Sequence, residues 1–382
     1  MTFDKVYQYN FPTIIRFGAG AIKELPAYLR ENGLKNPMIV TDPTIAGLSF
    51  FKEIVSNLKA QHLSVEVFSE IHKNPVKSDV YKGTEVWDNT SRDCIVGVGG
   101  GAAIDVARSI ALRVNHREDL FKYDDLIGGD VYVTNDVPHF IAVPTTAGTG
   151  SEVGRSAIIA DDETHQKKIL FSPKLMAKIV FADPLLTMEL PSFITAATGM
   201  DALTHNLEAF LAKNPHPLCD GIALEGIYLI KNSIEIATNR PDLESRSKML
   251  MASMMGAIAF QKGLGVVHSL AHPLSSLLDT HHGLANAVNL PYGMEFNISG
   301  FEEKFKRIAR TLELKEESGM AVVRYLSELN SKVNIPDRLS EIGVKTEHIE
   351  TLADLALADF AHPNNPKPVS REDFKQLYLK AL

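Results

Sequence analysis

The chain has 382 residues, which is too long for one ordinary hydrophobic core and suits two domains of about 100–200 residues each. Apolar residues make up 45% and charged residues 23%, the balance of a globular protein, which argues against a disordered or fibrous chain. The formal net charge of −8 lacks the basic surplus that phosphate-backbone binding requires, so nucleic acid is not an expected partner.

The N-terminal region and the cysteines bear on location. Residues 1–17 alternate polar and apolar side chains and lack the charged-then-apolar pattern of a secretory leader. No stretch approaches about 18 uninterrupted apolar residues, so no membrane association is expected. Cys94 and Cys219 each stand in apolar surroundings, which argues against a disulfide framework or a thiolate metal cluster. We therefore expect a cytoplasmic protein in which any metal is bound by nitrogen and oxygen ligands.

The first half of the chain alternates short β-type runs with helical patterns. This alternation extends from about residue 10 to residue 184 and is typical of βα units that build a parallel sheet. The predicted strands are 37–41, 64–68, 94–98, 139–143 and 178–181. The pattern predicts an α/β dinucleotide-binding domain over residues 1–184.

A glycine-rich turn follows the strand predicted at 94–98. Gly99, Gly100 and Gly101 stand directly before a helical pattern. Glycines allow positive φ and let an anion approach the amides at a helix N-terminus, where the helix dipole favours negative charge. We interpret the turn as the cradle of a dinucleotide pyrophosphate; a tight turn without a ligand is the structural alternative.

Two further elements extend this candidate cofactor site. Thr145 and Thr146 follow the next predicted strand in a glycine-rich loop, where hydroxyls and amides can bind a sugar or phosphate, unless the loop is simply polar. Asp42, at the end of the first predicted strand, can accept a hydrogen bond from a ribose 2′-OH and would repel a 2′-phosphate, which favours NAD over NADP. Its structural alternative is a helix N-cap. Because Asp42 precedes the glycines, the pattern differs from the usual dinucleotide fingerprint.

After Pro184 the periodicity becomes helical. Apolar residues recur at helical spacing, as at Met200, Leu203 and Leu207, and β-type runs all but vanish. Pro184 and Pro191 flank a short turn that interrupts both periodicities and marks the candidate domain boundary. The second half is therefore predicted to be an all-α domain over residues 185–382.

Histidines and an aspartate are concentrated in this helical half. Two pairs have a spacing of four residues, which places both members of each pair on one helix face. Burying so many polar groups in apolar helices is costly without a cation, because each unpaired group costs ~1–3 kcal/mol. The cluster predicts a metal site, and its ligand types suit Fe, Zn, Ni or Co. The candidates are Asp201, His205, His268, His272, His281 and His282.

Together these motifs point to a known family. The glycine turn, the Thr-Thr-Ala-Gly-Thr-Gly-Ser-Glu-Val loop, the Gly-Met-Asp-Ala-Leu-Thr-His segment and the Gly-Leu-Gly-Val-Val-His-Ser-Leu-Ala-His segment carry the match. The chain resembles the iron-dependent, or group III, alcohol dehydrogenases over essentially its full length. The resemblance implies a dehydroquinate synthase-like fold, with an α/β nucleotide-binding domain, a helical domain, and a cleft that holds NAD(P) and one divalent metal, usually Fe²⁺ and sometimes Zn²⁺.

The resemblance also implies residue roles. Asp42 contacts the adenosine ribose and Lys168 reaches the ribose on the nicotinamide side. His272 lines the substrate pocket near the nicotinamide and is the expected catalytic residue, whereas His281 is structural. The implied metal ligands are Asp201, His205, His268 and His282.

The implied reaction is hydride transfer between NAD and a small primary alcohol, diol or polyol, with the aldehyde as the other partner, in a homodimer. Three alternatives remain. The substrate can instead be a larger sugar acid or hydroxy acid, or the protein can be a metal-binding protein without catalytic activity. A dehydroquinate synthase-type lyase needs lysines and arginines around its substrate, and the region 263–291 has none.

Overall fold

A computed structural model describes residue 11 and residues 13–382. Most of the N-terminal segment on which the leader expectation rests lies outside the described residues. Backbone contacts divide the described chain into two compact units. One unit contains residues 13–146 and Gly150–Glu189, and the other contains Ala147–Thr149 and Leu190–Leu382.

The first unit is built on parallel strands. Its strands are β1 Ile14–Phe17, β2 Pro37–Val40, β3 Glu66–Phe68, β4 Cys94–Gly99, β5 His139–Pro144, β6 Ser156–Ala160, β7 Lys167–Phe171 and β8 Ile179–Ala182. Six of them form one sheet in the order β1-β8-β5-β4-β2-β3, in which each neighbouring pair is parallel. β6 and β7 form a separate antiparallel hairpin. Every residue of β2 and β4 is buried, as expected for a sheet covered on both faces.

Helices accompany these strands. They are α1 Leu25–Glu31, α2 Pro43–Gly47, α3 Ser49–Ala60, α4 Lys77–Asn89 and α5 Gly101–Asn115. α5 begins directly after β4 and packs against both β4 and β5. Gly97 permits this close packing, because a Cβ at that position would lie 2.9 Å from the Cβ of Ala107 on α5. The helix N-terminus is thereby held at the edge of the sheet.

The parallel sheet predicted from the sequence is confirmed. The five predicted strands correspond to β2, β3, β4, β5 and β8, with ends that differ by one or two residues. β1 and the β6–β7 hairpin were not predicted. The six residues that connect β6 to β7, 161–166, are mostly polar. In the sequence, these polar residues make the hairpin look like a continuation of the polar loop that follows β5.

The second unit is helical. Its helices are α6 Ser192–Leu211, α7 Pro217–Lys231, α8 Ile234–Asn239, α9 Leu243–Ala259, α10 Val266–Leu278, α11 His282–Asn297, α12 Glu302–Thr311, α13 Gly319–Lys332, α14 Ile349–Leu357 and α15 Arg371–Ala381. Over its described residues this unit has no strand, so the predicted all-α region is confirmed. No single described helix is long and apolar enough to cross a membrane. One pair, Leu243–Lys262 with Val266–Leu278, meets that test jointly, with a bend of 107° between its members.

α6 is the central helix of this unit. It is buried almost throughout from Thr195 to its end, and α7, α9 and α11 pack against it. Glycines allow two of these helices to approach closely. A Cβ on Gly283 of α11 would lie 2.3 Å from the carbonyl oxygen of Ala197, and one on Gly256 of α9 would lie 3.0 Å from the Cβ of His205. α9 and α11 therefore lie directly against the part of α6 that carries Asp201 and His205.

Candidate metal and cofactor sites

Four of the predicted ligands come together from three helices of the second unit. Asp201 and His205 lie one turn apart on α6, His268 lies on α10, and His282 is the first residue of α11. The Nε2 atoms of His205, His268 and His282 lie 3.9, 4.0 and 3.4 Å from Asp201 Oδ1, in that order. One ligand atom from each residue lies within 4.8 Å of the other three. Three nitrogen donors and one oxygen donor so arranged can hold one divalent cation.

The four donors differ in burial, and burial affects the protonation of His205. The side chains of Asp201, His205 and His268 are at most 5% exposed, whereas that of His282 is 26% exposed. Burial lowers the pKa of His205 to about 4, and the charge of Asp201 opposes this only in part. His205 is therefore neutral near pH 7 and can offer a lone pair to a metal.

A buried glutamate that the sequence analysis did not identify orients one of the histidines. Glu208 lies on α6, three residues after His205, and its carboxylate accepts hydrogen bonds from Gly265 N at 3.0 Å and Val267 N at 2.7 Å. It also accepts a hydrogen bond from His268 Nδ1 at 2.6 Å. Burial opposes protonation of His268, but the hydrogen bond and charge of Glu208 prevail and raise its pKa. Glu208 thus caps α10 and makes His268 a more basic candidate ligand.

The same cap explains a glycine of the Gly-Leu-Gly-Val-Val-His motif. A Cβ on Gly265 would lie 2.7 Å from Asn365 Oδ1 and 2.9 Å from Glu208 Oε1. Both side chains bind the start of α10, since Asn365 Oδ1 accepts a hydrogen bond from Val266 N at 3.1 Å. Only a residue without a side chain lets these two capping groups reach the helix.

An amide side chain also lies among the ligand atoms. Asn286 on α11 is fully buried, and its Nδ2 lies 2.7 Å from Asp201 Oδ1, 3.3 Å from His268 Nε2 and 3.1 Å from His282 Nε2. Its Oδ1 has no hydrogen-bond partner among the described residues. The sequence analysis missed Asn286, although its position four residues after His282 on a helix could have indicated it.

The other two candidate histidines have different surroundings. The ring of His272 on α10 lies 5.7 Å from that of His268 and stacks on that of His282 at 5.3 Å, while its Nδ1 lies 2.7 Å from Asp359 Oδ2. His281 caps α11 by accepting a hydrogen bond from Leu284 N at 3.4 Å. His272 is thus adjacent to the ligand cluster and outside it. Asp359 carried no sequence signal, because 87 residues separate it from His272.

Several candidate cofactor residues of the first unit lie at one edge of the sheet. Asp42 follows β2, Gly99 ends β4 and Thr145 follows β5, and these three strands are adjacent and parallel. The chain passes from β2 outward to β3 and then returns to the opposite side of β2 to form β4. A reversal of this kind opens a crevice at the carboxyl ends of the strands, where open α/β sheets bind ligands.

The glycine turn leaves space at this edge. Gly99 has a φ of +151°, and a Cβ there would lie 2.7 Å from Ala103 Cβ and 3.6 Å from Asp42 Oδ2. A Cβ on Gly100 would lie 3.2 Å from Thr146 Oγ1. Side chains at either position would fill the space between the helix, Asp42 and the threonine loop.

Polar groups that face this space lack hydrogen-bond partners among the described residues. α5 begins at Gly101, and no side chain caps its first turn, so the helix presents free amides and the positive end of its dipole. The hydroxyl of Thr145 is buried and has no hydrogen-bond partner within the described part of the chain. Such a site can accept a phosphate or a sugar hydroxyl.

Asp42 is a helix N-cap, which was the structural alternative to a role in cofactor binding. Only one of its two carboxylate oxygens takes part in the cap. Its Oδ1 accepts hydrogen bonds from Thr44 N and Ile45 N, both at 2.9 Å, at the start of α2. Oδ2 receives no hydrogen bond from a described residue and would lie 3.6 Å from a Cβ on Gly99. Lys168 lies on β7 of the hairpin, and its Nζ is 3.5 Å from Asp124 Oδ2.

Comparison with known proteins gives matches over the whole chain. The model of the iron-containing alcohol dehydrogenases matches residues 12–184, and that of the C-terminal region of the Fe-containing alcohol dehydrogenase family matches residues 195–382. The 4-hydroxybutyrate dehydrogenase of Cupriavidus necator is 36% identical, over 97% of this chain and 98% of that protein. The NAD-dependent methanol dehydrogenase of Bacillus methanolicus is 33% identical, over 98% of this chain and 99% of that protein. A crystal structure of 1,3-propanediol oxidoreductase has 31% sequence identity and a TM-score of 0.95. The match covers 99% of this chain and 100% of that one.

The matches favour the dehydrogenase over the lyase and the non-catalytic alternatives, because the relatives that span the full length are named as dehydrogenases and oxidoreductases. They also agree with the parallel sheet, the helical second unit and the cluster of side chains that could hold a metal ion. The chain therefore belongs to the iron-containing alcohol dehydrogenase family and is a metal-dependent alcohol oxidoreductase.

Proposed function

We propose that Asp201, His205, His268 and His282 bind one Fe²⁺, with Zn²⁺ as the alternative. The donor geometry carries this proposal. Two atoms bound to one such ion at about 2.0–2.2 Å each lie no more than about 4.4 Å apart. The three Nε2 atoms lie 3.4–4.0 Å from Asp201 Oδ1, inside this limit, and one ligand atom from each residue lies within 4.8 Å of the other three, which supports one shared ion. Imidazole and carboxylate donors suit both metals, and the matching family models are named for iron.

When bound, a divalent ion at these ligands supplies Lewis-acid chemistry that polarises an alcohol or aldehyde oxygen. Side chains of the protein prepare the ligands for that task. Burial keeps His205 neutral, and Glu208 holds His268 through Nδ1. Asn286 donates a hydrogen bond to Asp201 Oδ1. The ligands are thus oriented by groups of the protein itself.

His272 is assigned as the catalytic residue that accepts the hydroxyl proton of the alcohol. Its ring contacts the rings of two proposed ligands, His268 and His282. Its Nδ1 is engaged by Asp359, and Nε2 receives no hydrogen bond from a described residue. An imidazole with one engaged and one available nitrogen suits general base catalysis.

NAD is the proposed redox cofactor. The uncapped start of α5 at Gly99, Gly100 and Gly101 would bind the pyrophosphate, because its amides and dipole favour an anion. Asp42 Oδ2 would accept a hydrogen bond from the adenosine ribose. Thr145, Thr146 and Lys168 are assigned to the remaining sugar and phosphate groups. The name of the 33% identical methanol dehydrogenase includes NAD, which supports this choice.

The proposed substrate is a small primary alcohol or diol. Methanol, 1,3-propanediol and 4-hydroxybutyrate, which appear in the names of the three relatives, are all primary alcohols. 4-Hydroxybutyrate also carries a carboxylate, and the relative named for it has 36% identity. A hydroxy acid with a terminal hydroxyl is therefore the second candidate. Its oxidation would use the same proton acceptor.

A ligand variant and its sequence neighbour test the metal site. Purified protein would be reconstituted with Fe²⁺ or Zn²⁺ and assayed for NADH formation with methanol, 1,3-propanediol and 4-hydroxybutyrate. His282→Ala is expected to lose bound metal and turnover together, because the remaining ligands close the coordination shell poorly. His281→Ala removes the side chain that caps α11, which is not a proposed ligand, and is expected to keep both. Full metal occupancy in His282→Ala would remove that residue from the ligand set.

The proposal extends to organisation and location. The cofactor site is assigned to residues 1–184 and the metal site to residues 185–382; the break between Glu189 and Leu190 in the backbone contacts supports this division. A homodimer is proposed because β1 lies at the edge of the sheet formed by the described strands and leaves Ile14 63% exposed. Light scattering would determine the assembly. Two free, buried cysteines support a cytoplasmic location, which cell fractionation would test.

A further inference from the structure

A buried carboxylate engages the proposed catalytic histidine. His272 lies on α10, and Asp359 lies two residues beyond the end of α14. Asp359 Oδ2 is 2.7 Å from His272 Nδ1, and the two side chains are 8% and 16% exposed. This is the distance of a charge-assisted hydrogen bond. The pair is therefore shielded from solvent and in direct contact.

The carboxylate is fixed by the surrounding chain. Asp359 Oδ1 accepts hydrogen bonds from Ser269 Oγ at 2.6 Å and from Ala361 N at 2.9 Å. Ser269 Oγ in turn accepts a hydrogen bond from His362 N at 2.8 Å. Burial raises the pKa of Asp359, but His272 and these hydrogen bonds outweigh burial and lower it to about 2. Asp359 is therefore ionised and can only accept hydrogen bonds.

The imidazole is fixed as well. Phe360 stacks on the His272 ring at 5.2 Å with an angle of 29° between the ring planes, and His282 stacks on it at 5.3 Å and 16°. With an ionised acceptor at Nδ1, the ring proton lies on Nδ1 and the lone pair lies on Nε2. Of the two ring nitrogens, Nε2 is the one left to act on a substrate.

We propose that Asp359 is the positioning residue that holds His272 in this tautomer and so makes Nε2 a proton acceptor for the alcohol. The proposal rests on the catalytic role proposed above for His272. In alcohol oxidation the hydroxyl proton passes to Nε2, and the hydrogen on the carbinol carbon leaves with its electron pair to NAD⁺. The products are the aldehyde, NADH and an imidazolium beside the Asp359 carboxylate. The imidazolium then releases its proton to water.

The alternative is a purely structural role, in which Asp359 only ties the segment after α14 to α10. The variant Asp359→Asn separates the two roles. The Asn Oδ1 can still accept from Ser269 and Ala361, so the tie is retained. Its amide, however, would donate to Nδ1 and force the ring proton onto Nε2, which becomes a donor. We expect kcat for alcohol oxidation to fall about 10²-fold or more, with unchanged metal content.

A double-mutant cycle is the decisive measurement. If Asp359 acts only through His272, adding Asp359→Asn to His272→Ala causes no further loss of kcat. Asp354→Asn is the matched control, because this exposed carboxylate on α14 pairs with Arg371 outside the site. It is expected to leave kcat unchanged. Ser269→Ala, which removes one hydrogen bond to Asp359, gives a second and milder variant with an expected smaller loss of kcat.

Two sets of results would overturn the proposal. Loss of metal or wild-type kcat in Asp359→Asn would contradict it, as would losses that multiply in the double variant. In each of those cases a large effect of His272→Ala alone would leave the catalytic role of His272 intact. Wild-type kcat in His272→Ala would instead refute that role and the positioning role together.

Discussion

Glu208 Oε2 lies 2.6 Å from Nδ1 of His268, so a carboxylate of α6 orients a proposed metal ligand of α10. The same carboxylate accepts hydrogen bonds from the backbone at the start of α10. One side chain therefore sets both the position of the helix and the orientation of the ligand. Metal binding and the attachment of the start of α10 to α6 are linked through it.

Glu208→Gln is expected to weaken metal binding about 10–100-fold, because a carboxamide cannot accept from all these donors without presenting one of its own. The dissociation constant for Zn²⁺ would be measured by competition with a chromophoric chelator. Glu225→Gln, at an exposed position of α7, serves as the control and should bind metal like the wild type. Unchanged affinity in Glu208→Gln would reduce Glu208 to a helix cap.

Asn286→Ala is expected to lower metal affinity by a similar factor of about 10 or more, because the Asp201 carboxylate loses the donor that fixes its orientation. The matched control is Asn289→Ala on the same helix. Asn289 is fully buried and donates to Ala285 O at 2.8 Å. Both variants lose a buried amide, and only Asn286→Ala should lose affinity. Equal losses would mean that the effect comes from packing of α11.

Two substitutions at Asp42 separate charge from capping. Asn is as good an N-cap as Asp, so Asp42→Asn keeps the start of α2 while removing the charge that repels a 2′-phosphate. Asp42→Gly removes both functions. Each variant is expected to lower the ratio of kcat/KM for NAD to that for NADP. Thermal unfolding would measure the stability that the cap contributes, and only Asp42→Gly should be destabilised. An unchanged cofactor ratio in both variants would leave Asp42 a cap alone.

The buried position of Glu152 implies that the free energy of unfolding depends on pH. It is 2% exposed, its Oε1 has no hydrogen-bond partner in the described part of the chain, and burial raises its pKa to about 7 against the opposing charge of Arg108. Its unfolded-state pKa is about 4.3. Between these values the folded state binds more protons, so the contribution of Glu152 to stability falls as the pH rises from about 4.3 to 7.

Glu152→Gln should remove this dependence. Relative to the wild type, the variant is expected to gain up to about 3 kcal/mol in the free energy of unfolding between pH 5 and pH 8. Urea denaturation at the two pH values measures the difference. Glu163→Gln, exposed in the loop between β6 and β7, should follow the wild type at both. A parallel pH dependence in Glu152→Gln and the wild type would contradict the assignment.

Local sequence patterns were sufficient for much of the fold. Continuous apolar runs such as those of β2 and β4 predicted buried parallel strands, because both faces of the sheet are covered. The β6–β7 hairpin was missed because it mixes buried with partly buried residues, and because its connecting loop is polar.

The candidate site was predictable only in part. Helical spacing placed Asp201 with His205 and left His268 and His272 equivalent, because both lie on one face of α10. Contacts with distant residues distinguish the two histidines. His268 is held by Glu208 of α6, and His272 is held by Asp359, 87 residues further on. No local pattern reports such pairs.

Exposure differs sharply among the proposed ligands. His282 keeps 26% of its side-chain surface open, and it stands on the first turn of α11, where a helix frays most easily. A chelator in solution would therefore reach this ligand first, and opening one helical turn would be enough to start release. The other three ligands sit on the packed helices α6 and α10, which need not unfold for an ion to leave. Protein that loses its metal during purification should thus remain folded, and it should regain activity when the metal is restored.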